Sequence, residues 1–221
     1  MSSERGAVAA TGSLFVMTAP SGAGKTSLVR ALLESLPHLR FSISCTTRPR
    51  RPGERDGEDY HFLDRVEFER RVEAGDFLEH ARVFDHYYGT GRRQVEALLR
   101  AGDDVILEID WQGARQVRSA MPECLSIFIL PPSRAELERR LRDRGQDSEA
   151  VIARRLSDAV TDMSHYGEFD YLVVNDDFAT AADQLRSIFV ARRMRVPAQR
   201  ARHAGLITEL LGQPAPDGAG G

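Results

Sequence analysis

The sequence predicts an α/β fold in which a parallel sheet is flanked by helices. Two observations lead to this prediction. A glycine-rich turn, "TAPSGAGKT" (18–26), separates a short apolar run from a helical segment, which is the context of a loop that binds phosphate groups. Further along, short apolar segments alternate with helical ones, a pattern typical of parallel strands joined by crossover helices. At 221 residues the chain could hold one sizeable domain with inserted lobes.

The elements of this fold can be located one by one. The apolar run "LFVMT" (14–18) suits a buried parallel strand, and "TSLVRALLESL" (26–36) repeats apolar residues at helical spacing without Gly or Pro. Further buried strands are predicted at 104–110, 126–130 and 171–175. Helical segments are predicted at 94–102, 133–141 and 179–194.

The region from residue 41 to residue 91 interrupts the alternation. It contains the turn-rich basic stretch "TTRPRRPGERDGEDY" (46–60), a helical segment at 64–75 and the aromatic "FDHYYGT" (84–90). We interpret the region as a lobe inserted over the carboxyl ends of the strands, where doubly wound folds bind ligands. Residues 1–12 are typical of a disordered leader, and "GQPAPDGAGG" (212–221) is typical of a disordered tail.

Composition limits the class of partner. The net charge of −3 argues against general binding to nucleic acid or to a membrane. Cys45 and Cys124 are too few for a disulfide framework, which favours a reducing, cytoplasmic location. No segment approaches the ~20 apolar residues of a membrane span. Nothing in the sequence indicates an oligomeric state.

The glycine-rich turn has the residues that a phosphate-binding loop needs. Gly22 and Gly24 let the backbone N–H groups turn inward around an anion. Lys25 would neutralise the outer phosphates of a nucleotide, and the Thr26 hydroxyl could hold Mg²⁺. Ala19 stands where the pattern G-x-x-x-x-G-K-[ST] has its first glycine, which is a mild departure. We expect ATP to contact Ala19, Pro20, Ser21, Gly22, Ala23, Gly24, Lys25, Thr26 and Ser27.

Lys25 is also unusual within the composition. It is the only lysine among the 30 basic residues of the chain. A compact ammonium group reaches between phosphate oxygens where a planar guanidinium is too broad. The alternative, a glycine turn that arose by chance, does not explain why this position alone remains a lysine.

Two further features suit phosphoryl transfer. The predicted strand 104–110 ends in Asp110, and an acid at such a strand end either assists the Mg²⁺ site or only caps the turn that follows. An arginine-dense segment follows the third predicted strand. Its arginines are either a solvated surface or part of a mobile lid that closes over ATP with Gly145 as a hinge. They are Arg134, Arg139, Arg140, Arg142, Arg144, Arg154 and Arg155.

Seven motifs resemble those of bacterial guanylate kinases, in the same order along the chain. They read "TAPSGAGKT", "TTRPRRPGE", "FLEHA", "YYGT", "EIDWQGA", "PPSRAELERRLRDRG" and "VNDD", and they cover roughly residues 13–205. The resemblance implies a P-loop NTPase-type fold that transfers a phosphoryl group from ATP to GMP. It also implies three parts: a core (13–40, 92–131 and 161–205), a GMP-binding lobe (41–91) and a lid (132–160). A C-terminal segment (206–221) would end in the disordered tail.

The resemblance also implies site residues. Arg48, Arg51, Tyr60 and Tyr88 would hold the GMP phosphate. The residues that would face guanine or lie beside it are Ser44, Glu79, Asp110 and Thr90. Arg140, Arg144 and Arg155 would act with Lys25 on the transferred phosphoryl group, and Asn175 would lie near the adenine of ATP.

Two departures from the family pattern leave questions open. Glu108 stands where many relatives have Asp, and Arg50 lies beside Arg51 in the phosphate-binding stretch. Two other functions also remain as alternatives. A noncatalytic interaction module of the same fold could lose Lys25 or the lid arginines, yet this chain retains them. A kinase that acts on another small phosphorylated acceptor, such as a ribose phosphate, would not need Ser44, Glu79 and Asp110. His61, His80, His86 and His165 lack metal-ligand spacing.

Overall fold

The computed structural model describes residues 11–83, 85–143 and 148–212 of the chain. In chain order the strands are β1 Leu14–Thr18, β2 Leu39–Phe41, β3 Cys45–Thr46, β4 His61–Phe62, β5 Phe77–Val83, β6 His86–Gly91, β7 Asp104–Glu108, β8 Leu125–Leu130 and β9 Tyr171–Val174. The helices are α1 Lys25–Ser35, α2 Arg65–Glu73, α3 Arg92–Arg100, α4 Trp111–Ala120, α5 Arg134–Arg142, α6 Glu149–Ser164, α7 Phe178–Arg193, α8 Val196–Arg202 and α9 Ala204–Leu210. A short 3-10 helix, Tyr166–Glu168, follows α6.

Five strands form a central parallel sheet in the order β2-β7-β1-β8-β9. This confirms the predicted α/β fold with a parallel sheet flanked by helices. Because all five strands run the same way, their carboxyl ends lie along one edge, and the glycine-rich loop leaves the sheet there after β1. β7 ends at Glu108 and not at residue 110, because Asp110 caps α4 by accepting a hydrogen bond from Gly113 N at 2.7 Å.

The sheet is buried on both faces, which explains its unbroken apolar strands. Along β1, Phe15 and Met17 lie in the core cluster that contains α1 and α7, while Leu14 and Val16 lie in the cluster on the other face. The Phe15 ring stacks on Phe189 of α7 at 3.8 Å between ring centroids. The first cluster packs directly under the glycine-rich loop, because it includes Ala23.

A second sheet lies within the predicted lobe, and the sequence did not predict its strands. Its order is β4-β3-β6-β5, with β3 parallel to β4 and antiparallel to β6. The sheet has a small core of its own, in which Phe68 of α2 stacks on Phe77 at 4.6 Å between centroids. β2 ends at Phe41 within the central sheet, so the first residue of the predicted lobe is part of the core.

The side chain of Gln116 joins the second sheet to the core. β5 is an edge strand of that sheet. The Gln116 amide on α4 accepts a hydrogen bond from His80 N (3.1 Å) and donates one to His80 O (3.0 Å). This pair of bonds satisfies the strand edge. It also fixes β5, and with it Glu79, relative to the helix that begins directly after Asp110.

Helices α5 and α6 form a separate layer in the region predicted as a lid. Leu137, Leu141, Ile152 and Ala159 are buried between them. Ser133 caps α5 by accepting a hydrogen bond from Glu136 N at 3.1 Å. Residues 144–147, which include Arg144 and Gly145, lie outside the described residues.

The ends of the chain are described only in part. Residues 1–10 of the predicted leader and 213–221 of the predicted tail lie outside the described residues. Gly12, which the sequence assigned to the leader, donates a backbone hydrogen bond to Leu99 O at 2.8 Å. Within the described part of the chain, no helix combines the length and the apolar character that a membrane crossing requires.

Candidate active site

The glycine-rich loop joins β1 to α1 in the conformation that its glycines allow. Gly22 and Gly24 have φ angles of 93° and 91°, in the left-handed region that a Cβ disfavours. Gly24 directly precedes α1, so the free N–H groups of that helix face the loop. Ala19 is half-buried against the core, and the methyl group that replaces the expected glycine is accommodated there. The residues around a cavity of about 320 Å³ are Ala19, Pro20, Ser21, Gly22, Gly24, Lys25, Thr26, Ser27 and Glu108.

Lys25 points across the loop toward the end of β7. Its Nζ donates a hydrogen bond to Ile109 O at 3.3 Å. Burial lowers the pKa of Lys25 from its ordinary value, while the carboxylates of Glu108, Asp110 and Asp162 oppose that shift. The ammonium group is therefore held in a desolvated position where an added phosphate would be a strong partner.

Glu108, and not Asp110, is the acid at the end of β7 nearest to the loop. The Thr26 hydroxyl donates a hydrogen bond to Glu108 Oε1 at 2.5 Å. Asp110, the acid at the end of the predicted strand, caps α4 instead of contacting Thr26. The longer side chain of Glu108 brings its carboxylate into direct contact with Thr26.

Asn175 holds the loop from below. Its Nδ2 donates a hydrogen bond to Ala23 O at 2.7 Å, and its backbone oxygen accepts one from Arg140 Nη2 at 3.1 Å. Asn175 is buried, with 4% of its surface exposed. A Cβ at Gly24 would lie 2.4 Å from Asn175 Nδ2, so only glycine fits beside this amide. Asn175 therefore connects the end of β9, the glycine-rich loop and helix α5.

Glu79 and Asp110 converge in a second, buried part of the site. Glu79 is 5% exposed, and its Oε1 accepts a hydrogen bond of 2.6 Å from the buried Thr90 hydroxyl. A Cβ at Gly113 would lie 2.9 Å from Glu79 Oε2 and 3.4 Å from Asp110 Oδ1. Burial raises the pKa of Glu79 to about 7, the charge of Asp110 adds to that shift, and the Thr90 hydroxyl opposes it.

A basic and aromatic cluster lies in the lobe. The Arg48 guanidinium lies 5.4 Å from the centroid of the Tyr60 ring and 5.9 Å from that of Phe62. Tyr60 and Tyr88 pack edge to face at 6.0 Å between centroids. Hydrogen bonding to Glu54 raises the pKa of Arg48, burial opposes that shift, and Tyr88 adds to it. This cluster can bind an anion through one cation and two hydroxyl groups.

The remaining predicted residues have less uniform positions. Ser44 is half-buried, and its backbone oxygen accepts a hydrogen bond from His61 N at 2.9 Å. Arg50 and Arg51 both have exposed side chains. Arg140 is 22% exposed and also pairs with Glu136 at 2.8 Å, whereas Arg155 lies on α6. Arg144 lies outside the described residues.

Surface ion pairs account for two other arginines of α5. Arg139 pairs with Glu136 and Asp143, and Arg142 pairs with Glu138 and Glu149. These arginines therefore fit the solvated surface that was one of the two interpretations of this segment. Arg140 differs from them because it reaches Asn175 beside the loop.

Sequence reasoning missed Glu54, whose carboxylate contacts both Arg48 and the backbone of Arg51. A signal was present, since Glu54 is the last residue of "TTRPRRPGE". An acid after a proline-rich basic turn is, however, also a common surface feature.

Comparison with known proteins decides the family. A family model described as guanylate kinase matches residues 11–192. Curated guanylate kinases from Methylococcus capsulatus and Escherichia coli K12 are 60% and 55% identical, over alignments that each cover 91% of this chain and 98% and 99% of those proteins. The chain belongs to the guanylate kinase family. A crystal structure of guanylate kinase from Anaplasma phagocytophilum is similar with a TM-score of 0.70 at 34% identity, covering 91% of this chain and 95% of that one. The guanylate kinase resemblance that the seven motifs predicted is thus confirmed.

The buried carboxyl group of Glu79 makes the free energy of unfolding of this guanylate kinase family member depend on pH. Between the ordinary Glu pKa of 4.5 and the folded value of about 7, Glu79 keeps its proton when folded and loses it when unfolded. Stability from this group is therefore present at low pH and lost as the pH rises through 7. We expect the unfolding free energy of the wild type, relative to Glu79→Gln, to fall by about 2–3 kcal/mol between pH 5 and pH 8. Urea unfolding of both proteins at several pH values measures this difference, and a pH-independent difference would contradict it.

Proposed function

We propose that this chain transfers the γ-phosphoryl group of ATP to GMP, giving ADP and GDP. In this proposal ATP binds at the glycine-rich loop, which we call the donor part of the site, and GMP binds beside Glu79, which we call the acceptor part. One observation carries the proposal. Glu108 contacts the phosphate loop through Thr26, and Asp110, two residues later, lies beside the buried Glu79. Two residues of extended chain span at most about 7 Å. A donor on the loop and an acceptor beside Glu79 would therefore lie side by side.

The donor part binds the phosphates of ATP. The loop N–H groups and the amino end of α1 supply fixed partial positive charge, and Lys25 supplies a full charge. We propose that Asn175 maintains the shape of the loop, since its amide donates a hydrogen bond to Ala23 O. Its expected place near adenine remains a separate part of the proposal.

Thr26 and Glu108 fit a Mg²⁺ ion that arrives with ATP. Both present oxygen atoms, and these already lie 2.5 Å apart at the mouth of the loop. Among the described residues, no group of three or more acidic, His or Cys side chains is placed to hold a metal. One or two protein oxygens together with the nucleotide phosphates are the usual surroundings of Mg²⁺ in such sites. Mg²⁺ bound in this way would neutralise part of the phosphate charge.

The acceptor part would select guanine through its carboxylates. Guanine presents N–H donors at N1 and N2, which Glu79 and Asp110 can accept, with Ser44 and Thr90 close by. Adenine presents a lone pair at N1, so above the Glu79 pKa of about 7 the buried ionised carboxylate there would lack a partner. The GMP phosphate would lie against the cluster in the lobe, formed by Arg48, Arg51, Tyr60 and Tyr88.

The arginines of the lid would act on the group in transfer. Phosphoryl transfer depends mainly on positioning and on positive charge around the moving group. Arg140 is already beside the loop through Asn175, and Arg144 and Arg155 complete the proposed set. No base is needed to activate the acceptor, because its phosphate is already ionised near neutral pH.

A cytoplasmic location belongs to the same proposal, since Cys45 and Cys124 are both buried free thiols.

A panel of acceptors tests the function. ADP release should be measured by a coupled assay with GMP, AMP, UMP and ribose phosphates. We expect kcat/KM for GMP at pH 8 to exceed that for AMP by about 10⁴-fold, because adenine presents a lone pair at N1 and no amino group at C2 to the buried carboxylates. Comparable turnover of a ribose phosphate would favour a different small-acceptor kinase. Absence of turnover with every acceptor would favour a noncatalytic interaction module.

Substitution of the only lysine tests the donor part. Lys25→Arg keeps the charge, but the broader guanidinium would not fit the desolvated position beside Ile109 O. We expect kcat to fall by about 10²-fold or more, while thermal unfolding stays close to wild type. Arg30→Lys is the matched control, since it exchanges the same two residue types on the exposed face of α1. Wild-type turnover in Lys25→Arg would show that the ammonium group has no special role.

A further inference from the structure

Glu54 receives three hydrogen bonds from the segment proposed to hold the GMP phosphate. Arg48 Nη2 donates to Oε1 at 2.7 Å, Arg48 Nη1 donates to Oε2 at 3.0 Å, and Arg51 N donates to Oε2 at 2.8 Å. The Arg48 and Glu54 side chains are 11% and 19% exposed. A bidentate pair with this little solvent is stronger and better defined than an ordinary surface pair.

The bonds to Glu54 use one particular edge of the Arg48 guanidinium. Nη1 donates to both Glu54 and Pro49 O (2.8 Å), so its two hydrogens are committed. Nη2 gives one hydrogen to Glu54. The other edge, formed by Nε–H and the second Nη2 hydrogen, is a two-donor edge of the kind that binds phosphate. Glu54 thus holds Arg48 without occupying that second edge, and Tyr88, which is assigned to the same phosphate, is also hydrogen-bonded to Arg48.

The aromatic rings beside Arg48 fix only part of the orientation of its guanidinium group, and Glu54 fixes the rest. The rings of Tyr60 and Phe62 lie near the guanidinium and restrict the tilt of its plane. They do not restrict rotation within that plane, whereas a bidentate carboxylate does. The bond to Arg51 N also ties down the turn that carries the Arg51 side chain.

We propose that Glu54 is a positioning residue for GMP, which acts by holding Arg48 and the Arg51 turn in the arrangement that receives the phosphate. The proposal rests on the assignment of the phosphate site to this cluster. Glu54 itself does not contact GMP in this view. It presents its carboxylate to the side of Arg48 opposite the phosphate.

The direction in which GMP affinity changes when Glu54 is removed distinguishes this proposal from a simple charge effect. Glu54 is an anion close to a site for a phosphate dianion, and electrostatic repulsion alone would make its removal tighten GMP binding. Loss of positioning would weaken GMP binding, because Arg48 and the turn must then be ordered when GMP binds. The two effects therefore change the GMP affinity in opposite directions.

The test is GMP saturation at saturating ATP for Glu54→Ala and Glu54→Gln. We expect Glu54→Ala to raise KM for GMP about tenfold or more, with KM for ATP unchanged and kcat at saturating GMP within about twofold of wild type. Glu54→Gln keeps one oxygen acceptor and should give a smaller increase. Glu58→Ala is the matched control, because it removes an exposed acid of the same loop that pairs with Arg55 and does not contact Arg48.

Guanosine distinguishes lost positioning from a damaged lobe. It lacks the phosphate, so Glu54→Ala should leave its affinity, measured by calorimetry, unchanged while GMP binds more weakly. Equal loss for guanosine and GMP would overturn the proposal, and so would an unchanged or lower KM for GMP in Glu54→Ala. Arg51→Ala tests the phosphate site separately, with Arg50→Ala as its control. If Arg51→Ala leaves KM for GMP unchanged, the assigned phosphate site is wrong; if it raises KM while the Glu54 variants do not, only the role of Glu54 is wrong.

Discussion

The hydrogen bond from Asn175 to the carbonyl oxygen of Ala23 is the constraint on which the rest of the site depends. A loop that turns its N–H groups toward an anion must turn carbonyl groups the other way, and a buried carbonyl needs a donor. Asn175 Nδ2 is that donor at 2.7 Å. Its closeness also requires glycine at position 24, since a Cβ there would lie 2.4 Å from the amide. Through its backbone oxygen, the same residue places Arg140 beside the loop.

The short segment from Glu108 to Asp110 gives the site its second constraint. Glu108 ends a central strand beside Thr26, and Asp110 starts α4 beside Glu79. Because Gln116 on α4 also holds the edge of β5, the lobe is positioned by the helix that the core strand leads into. The proposed donor and acceptor parts are therefore held relative to each other by continuous chain, by the Gln116 hydrogen bonds and by the packing of Leu78 of β5 in one core cluster with Ala114 and Val117 of α4.

Local signals made much of the core predictable, and nonlocal contacts explain what was missed. β1, the loop and α1 were predicted because apolar runs, glycine positions and helical spacing are read within about ten residues. The strands β3 and β4 have two residues each and exist only through pairing with distant strands, so no periodicity reveals them. The strand predicted to reach Asp110 ends at Glu108, because sequence alone does not show where a strand ends and a helix cap begins. The contact between Asn175 and Ala23 joins residues 152 positions apart. The ordered motifs placed Asn175 in the site but not against the loop.

Binding of inorganic tripolyphosphate to Asn175→Asp tests the role of this constraint most directly. The substitution keeps the size of the side chain and removes the donor to Ala23 O. Tripolyphosphate has no adenine, so a contact between Asn175 and the base cannot affect its binding. We expect calorimetry to show about tenfold weaker binding of tripolyphosphate and of a nonhydrolysable ATP analogue, with Asp176→Asn as an exposed control that binds both like wild type. Unchanged tripolyphosphate binding to Asn175→Asp, whether or not the ATP analogue binds more weakly, would contradict the claim that this hydrogen bond shapes the phosphate loop.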